Sequence, residues 1–219
     1  MEQIRVFYEK TGRAKYISHL DMSRYVARAL KRSCLPVWYT EGFNPHIYTT
    51  FAQPLSLGYE SSCESFDFKL HEPVAEEEIL RRLNECLSEG VRAYRAAAPV
   101  MKPEQIKWAD YIITLYYDNG SGLIALEELK RFLEQEQILV MKKTKKQDKE
   151  VDIKPLFSVL ELQGSQQELY LKLRLAAGIQ LNINPSLLLG AFAQQTGKTP
   201  DFTQTARLRI LTEDFTDFE

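Results

Sequence analysis

The first polar residues whose types and spacing suit catalysis are Ser18, His19 and Asp21. These are the residue types of a Ser–His–Asp catalytic triad. Ser18 followed by Asp21 three residues later also fits a capping box, in which both side chains bond to backbone amides of a helix's first turn. The spacing favours this cap over catalysis. His19, at the first helical position, faces the positive end of the helix dipole, so we expect a neutral ring.

Three arginines follow on the same helix. Arg24, Arg28 and Arg32 recur at every fourth position, so their guanidinium groups project along one line of the helix surface. A guanidinium group binds phosphate by paired hydrogen bonds as well as by charge. The spacing therefore predicts either a phosphate-binding face or an ordinary solvated face whose arginines pair with carboxylates.

A second motif follows the helix and consists of Glu41, Gly42, Phe43, Asn44, Pro45 and His46. Gly42 and Asn44 tolerate positive φ, and a proline favours an extended conformation in the residue before it. These residues predict a rigid loop that presents Phe43, Asn44 and His46, an arrangement suited to stacking on a nucleotide. The alternative is a structural loop whose Phe43 fills the core.

No pattern in the sequence supports a metal site or a cofactor site. The three cysteines, at positions 34, 63 and 86, are too far apart in sequence for an iron–sulfur or zinc motif. A metal site can be drawn from His19, Asp21, Glu41 and His46, but no spacing rule supports it. The glycines at 120 and 122 lack the lysine of a phosphate-binding loop. We therefore expect no catalytic residue, metal or cofactor in this chain.

The composition indicates a globular protein with a local basic segment. Of 219 residues, 44% are hydrophobic and 26% charged, which is ordinary for a soluble domain. The chain shows neither a membrane-spanning apolar run nor the layout of a signal peptide, so we expect a cytoplasmic protein with no membrane partner. The net charge is −2, but residues 1–58 carry +4 and the rest −6, so a basic face can still attract phosphates locally.

Periodicity predicts an α+β fold of two ferredoxin-like (split β-α-β) halves with antiparallel sheets. The first half, residues 1–98, has strands at 4–9, 37–40, 65–70 and 91–97 and helices at 18–35 and 76–87. The second half, residues 109–219, has strands at 111–117, 139–143, 158–161, 168–175 and 208–211 and helices at 126–135 and 185–195. Residues 99–108 form the linker. The apolar stripe of the first helix is Met22, Tyr25, Val26, Ala29 and Leu30.

The motif region resembles a known family. The resembling segments are 17–21, 28–32, 35–36, 41–46, 54–58 and 60–61, with weaker agreement at 151–155, 184–188 and 206–208. Together they resemble the radical SAM-linked protein family, a domain of unknown function found alone or fused after a cobalamin-type radical SAM protein. Ile47 departs from the family pattern, in which proline usually follows the loop histidine.

The resemblance implies partners rather than an activity. It implies a radical SAM protein that supplies the cluster this chain lacks, and RNA as a second partner, because such genes lie near ribonuclease and ribosomal protein genes. The leading hypothesis is an accessory protein that binds tRNA or rRNA for modification. Its RNA- or partner-binding residues are Ser18, His19, Asp21, Arg24, Arg28, Arg32, Glu41, Phe43, Asn44 and His46. Two alternatives stay open: an RNA-modifying or RNA-processing enzyme with Asp21 or His46 as acid–base, and a purely protein-binding subunit.

Overall fold

The computed structural model describes residues 1–142 and 149–219. Within these ranges the helices are α1 (His19–Arg32), α2 (Glu76–Asn84), α3 (Gly122–Leu133) and α4 (Pro185–Thr196). The strands are β1 (Glu2–Lys10), β2 (Thr50–Phe51), β3 (Glu60–Leu70), β4 (Val91–Ala97), β5 (Trp108–Tyr116), β6 (Leu139–Lys142), β7 (Lys149–Asp152), β8 (Phe157–Gly164), β9 (Glu168–Ala176) and β10 (Phe202–Leu211). The predicted α+β class is confirmed. Lys143, the predicted end of the strand at 139–143, lies outside the described residues.

The chain divides into two compact units whose boundaries differ from two consecutive halves. The first unit comprises Met1–Gln105, Arg207–Arg209 and Asp217–Glu219, and the second comprises Ile106–Ala206 and Ile210–Thr216. The boundary at residue 105 falls inside the predicted linker, but β5 already begins at Trp108. The C-terminal pieces belong to the first unit because its buried groups bind them: Arg207 pairs with Glu64, and Arg5 bonds to the carbonyl of Glu219.

The first unit builds its core between α1, α2 and an antiparallel sheet. The strand order is β4-β1-β3, and β2 pairs with β3. The α1 stripe packs on this sheet as predicted: Met22, Val26, Ala29 and Leu30 are buried, and Tyr25 is partly buried against the core. The periodicity of three and four residues is what places these side chains on one face.

The predicted strand at 37–40 is wrong. Only two isolated bridges form there, Val37 with Leu70 and Tyr39 with Ile47. The reason is local: Tyr39 pairs with Ile47 eight residues ahead in a hairpin instead of continuing along β3. The residues that do pair with β3 after this hairpin are Thr50 and Phe51 of β2.

The second unit places its strands in the order β10-β5-β9-β8, with β5, β9 and β8 paired antiparallel. The helices α3 and α4 contact each other through the rings of Phe132 and Phe192, whose centroids lie 5.6 Å apart. The predicted strand at 139–143 does not join this sheet. Instead β6 pairs with β7 in a separate two-stranded sheet, and β7 was not predicted from the sequence.

The α1 packing gives a stability prediction with a matched control on the same helix. Leu30 is completely buried, whereas Leu20 is 60% exposed. Leu30→Ala removes core contacts and should lower the free energy of unfolding by about 2–5 kcal/mol. Leu20→Ala should change it by no more than about 0.5 kcal/mol. Urea unfolding of both variants measures the difference, and equal losses would contradict the packing described here.

Candidate nucleic-acid interface

The start of α1 is a structural cap. Ser18 Oγ accepts a hydrogen bond from the amide of Asp21 at 3.2 Å and donates to Asp21 Oδ2 at 2.7 Å. The Asp21 carboxylate thus bonds to the Ser18 hydroxyl rather than reaching the Ser18 amide as a full capping box requires. Within the described residues, no hydrogen bond connects His19 to Ser18 or Asp21. A catalytic triad needs the histidine between the other two, so these three residues are not arranged as one.

His19 lies edge-on against Phe51, with ring centroids 5.2 Å apart. Partial burial lowers the pKa of His19, Lys10 lowers it further, and Glu64 opposes the shift. The direction agrees with the neutral ring expected from the sequence. The chief cause is loss of solvent around the ring, where the sequence argument invoked the helix dipole.

The three arginines of α1 are all exposed. Arg24 Nη1 lies 3.4 Å from Asp21 Oδ1, and both side chains are well exposed, so this ion pair is weak. Arg32 donates to the carbonyl of Cys86 at 2.6 Å, which keeps its positive charge unneutralised. Arg28 has no hydrogen bond or ion pair to any described residue. The line of arginines therefore offers positive charge to solvent, with Arg28 at its centre.

The motif at 41–46 forms the turn of a hairpin, here called the 39–48 hairpin. The Thr40 amide donates to the His46 carbonyl at 2.9 Å, and the His46 amide donates to Thr40 Oγ1 at 3.1 Å. Ile47 is buried in the core and anchors the returning side of the hairpin. Phe43 is fully exposed, so the alternative in which it fills the core is wrong.

The remaining motif residues stay on this hairpin. Glu41 and Asn44 are exposed. His46 Nδ1 lies 3.1 Å from both Thr40 Oγ1 and the Asn44 carbonyl, so its ring is held within the turn. Across the part of the chain that the structure describes, no hydrogen bond or ion pair joins this hairpin to the α1 arginines. The structure presents two separate exposed features in the same unit.

A buried ionic cluster lies behind the motif region and was missed from the sequence. Arg207 Nη2 donates to Glu64 Oε1 at 2.6 Å and to the Gln53 carbonyl at 2.7 Å. The two charged side chains are only 1% and 3% exposed. Lys10 Nζ donates to the Ile17 carbonyl at 2.7 Å. In the sequence, residue 207 stood out only within the segment 206–208 that agrees weakly with the family pattern, and the predicted strand began at 208.

This cluster perturbs the titration of its members. Burial lowers the pKa of Lys10, while Glu64 raises it. Burial also raises the pKa of Tyr8, and the neighbouring Glu64 raises it further. Perturbed pKa values can mark a functional site or a structural ion-pair network. Because Arg207 and Glu64 are buried and bonded to each other, the perturbed pKa values fit a structural ion-pair network.

Two further features bear on chemistry. A cleft of about 630 Å³ lies in the second unit, between α3, α4 and the β6–β7 sheet. Glu150 is the one ionisable side chain in its described lining, so this lining does not supply an acid–base pair.

Among the described residues, no group of three His, Cys, Asp or Glu side chains could hold a metal ion. No helix in the described ranges has the length and apolar character of a membrane span.

Comparisons with known proteins identify a family and a fold. A family model described as "Uncharacterized protein conserved in bacteria (DUF2344)" matches residues 3–185. That description makes no mention of radical SAM enzymes. No curated protein matches the chain.

Two examples come from the 29 chains of solved structures that match. One is a chain of the "Crystal Structure of a Cbf5-Nop10-Gar1 Complex", with a TM-score of 0.52 and 10% identity. The match covers 96% of this chain but only 50% of that one, so this chain spans about half its length. At this identity the likeness concerns the α+β fold alone. The other is a CRISPR-associated protein from Thermus thermophilus, with a TM-score of 0.25, 16% identity, and coverage of 94% of this chain and 99% of that one.

The ionic cluster gives a second stability prediction. Arg207→Ala leaves the Glu64 carboxylate buried without its partner, and should lower the free energy of unfolding by about 3–5 kcal/mol. Arg209→Ala is the matched control, because Arg209 pairs with Asp217 at the surface and such pairs contribute about 0–1 kcal/mol. Chemical denaturation of both variants checks the prediction. A loss for Arg207→Ala no larger than that for Arg209→Ala would show that the buried pair does not hold the unit together.

The lowered pKa of His19 predicts a pH dependence of stability. An unfolded histidine titrates near 6.5. As the pH falls through that value, the unfolded chain takes up the proton first, so the free energy of unfolding falls until the folded-state pKa is reached. His19→Gln lacks this contribution. Unfolding measured between pH 8 and about pH 5 should show the wild type losing stability relative to the variant on acidification. A relative gain would mean that the pKa of His19 is raised.

Proposed function

We propose that this chain, which belongs to the DUF2344 family of uncharacterized proteins conserved in bacteria, is a non-catalytic accessory protein that binds RNA. The observation that carries the proposal is the exposed arginine line of α1. Arginines 24, 28 and 32 lie one helical turn apart, and none is buried against a carboxylate. Evenly spaced, solvated guanidinium groups suit a phosphate backbone.

The charge distribution supports RNA over a neutral partner. Residues 1–58 carry +4 within a chain of net charge −2. The field of these charges acts within about 8 Å at physiological salt, so it favours contact along α1 without attracting nucleic acid to the whole surface. This pattern fits a protein that binds a defined RNA segment, such as part of a tRNA or rRNA that is to be modified.

The chemistry in this proposal belongs to a partner enzyme. Ser18 and Asp21 are engaged in the helix cap, and His46 Nδ1 is held within its own turn. These contacts favour an accessory role over an acid–base role for those residues. The resemblance of the motif segments to the radical SAM-linked family supports a radical SAM protein as that partner.

A purely protein-binding subunit is the second candidate, and a specific surface favours it. Tyr16, Leu20 and Leu57 are each more than half exposed. The amide of Gly58 donates to the Lys15 carbonyl at 2.8 Å, which ties the segments of Leu57 and Tyr16 together. Exposed apolar side chains on neighbouring segments, such as Leu57 and Tyr16, are typical of protein contacts.

The proposal extends to the fold, with both units ferredoxin-like. A ferredoxin-like unit has two β-α-β passes whose strands interleave in one antiparallel sheet. The strand order β10-β5-β9-β8 and the antiparallel pairs of the second unit support this reading. In the first unit the order β4-β1-β3 supports it, with the bridge of Val37 to Leu70 in place of a full fourth strand.

The test of RNA binding is charge reversal at the centre of the arginine line. Arg28→Glu should weaken binding to labelled fragments of bacterial tRNA and rRNA while leaving the melting temperature unchanged, because Arg28 is exposed. Loss of one phosphate contact should also flatten the slope of log affinity against log salt by about 0.7 for a single strand. Fluorescence anisotropy over a range of salt concentrations measures both quantities.

Arg131→Glu is the control for non-specific charge effects. Arg131 is exposed on α3 of the second unit and pairs with Glu128 only at the surface. It should bind RNA like the wild type. If Arg28→Glu also binds like the wild type, the arginine line does not contact RNA. If it then fails to bind the partner enzyme, the protein-binding candidate replaces the proposal.

A further inference from the structure

The 39–48 hairpin and the residue before it are rich in aromatic side chains. Trp38, Tyr39, Phe43 and Tyr48 occupy four of eleven consecutive positions. Phe43 is fully exposed, and Tyr39 and Tyr48 are 39% and 54% exposed. Isolated exposed aromatics are common in soluble proteins. Three exposed aromatic side chains on one short hairpin form a surface to which a ligand can bind.

The hairpin holds these rings on a fixed backbone. The bridge between Tyr39 and Ile47 closes its base, and the paired hydrogen bonds between Thr40 and His46 close its turn. Gly42 has a φ of 118°, a conformation that a residue with a side chain rarely adopts. A binding loop that is already ordered loses little conformational entropy when its ligand arrives.

The surroundings of the hairpin favour an anionic ligand with flat rings. Lys69 Nζ lies 5.3 Å from the centroid of the Trp38 ring, which places a cation beside the hairpin's base. Glu41 is the single acidic residue among residues 38–48. Aromatic side chains beside cations are the usual platform for nucleotide bases, since the rings stack and the cations meet the phosphates.

Phosphate contacts alone would give this protein only a modest affinity for RNA. Three exposed arginines provide few phosphate contacts, and the chain as a whole is negatively charged. Stacking of one base on an aromatic side chain contributes about five- to 150-fold in affinity. Stacking is open only to unpaired bases, because the bases of a duplex already stack on each other and the duplex is recognised by its shape.

We infer that the 39–48 hairpin stacks on unpaired bases, so that the RNA bound by this protein is single-stranded at the contact. This inference rests on the proposed RNA-binding function and names its substrate class. Phe43, at the tip, is the stacking residue, and the α1 arginines supply the separate phosphate contacts.

The experiment compares one RNA sequence in two forms. A labelled fragment of bacterial rRNA is tested alone and annealed to its complement, with wild-type protein and with Phe43→Ala. The Phe43 ring makes no contact with another described ring, so the variant should keep the wild-type melting temperature. Phe202→Ala is the control, because Phe202 is an exposed phenylalanine of the second unit. Its ring centroid lies 5.8 Å from that of Tyr116, so the melting temperature of this variant is measured as well.

We expect the wild type to bind the single strand more tightly than the annealed duplex. Phe43→Ala should lose about five- to 150-fold in affinity for it with the salt slope unchanged, and Phe202→Ala should lose nothing. Equal binding of both forms by the wild type, or a wild-type affinity of Phe43→Ala for the single strand, would overturn the inference. The proposed function would still stand if RNA binding depends on Arg28. Binding of neither form by the wild type would overturn both.

Discussion

The buried ion pair between Arg207 and Glu64 is the interaction on which the first unit depends. It joins residues 143 positions apart and also fixes the carbonyl of Gln53, just beyond β2. A carboxylate in this environment is tolerated only with its partner, since an unpaired buried charge costs several kcal/mol. Within the first unit, Arg207 therefore bonds to β3 through Glu64 and to the segment just beyond β2 through Gln53.

The distribution of ion pairs separates the structural arginines from the functional candidates. Arg5 bonds to both oxygens of Asp67, and Arg174 to both oxygens of Asp110. These geometries are bidentate and largely sealed from solvent, as expected where a guanidinium group serves the fold. The arginines of α1 are different, because their contacts are a long surface pair and a single carbonyl. Their charge is available to an anionic ligand, as the proposed binding of an RNA backbone requires.

Local signals predicted much of the first unit, and long-range pairing explains the rest. The apolar stripe and Ser18 predicted α1, because helix periodicity and capping depend on neighbouring residues. The sequence did not decide whether Phe43 is exposed or buried, because the backbone conformation of a loop determines where its aromatic side chain lies. The strand at 37–40 was wrong because Tyr39 found a partner in Ile47. The pairing of Arg207 with Glu64 produces no periodic pattern in the sequence, so the buried ionic cluster could not be predicted.

In the proposed function, RNA binds this protein at the α1 face and at the 39–48 hairpin. Ultraviolet crosslinking of the purified chain to bacterial RNA, followed by mass spectrometry of the crosslinked peptides, locates the contact directly. We expect nucleotide adducts on peptides that contain Phe43 or Tyr48 and on peptides of α1. Adducts confined to the second unit, or protein crosslinked to no RNA at all, would contradict it.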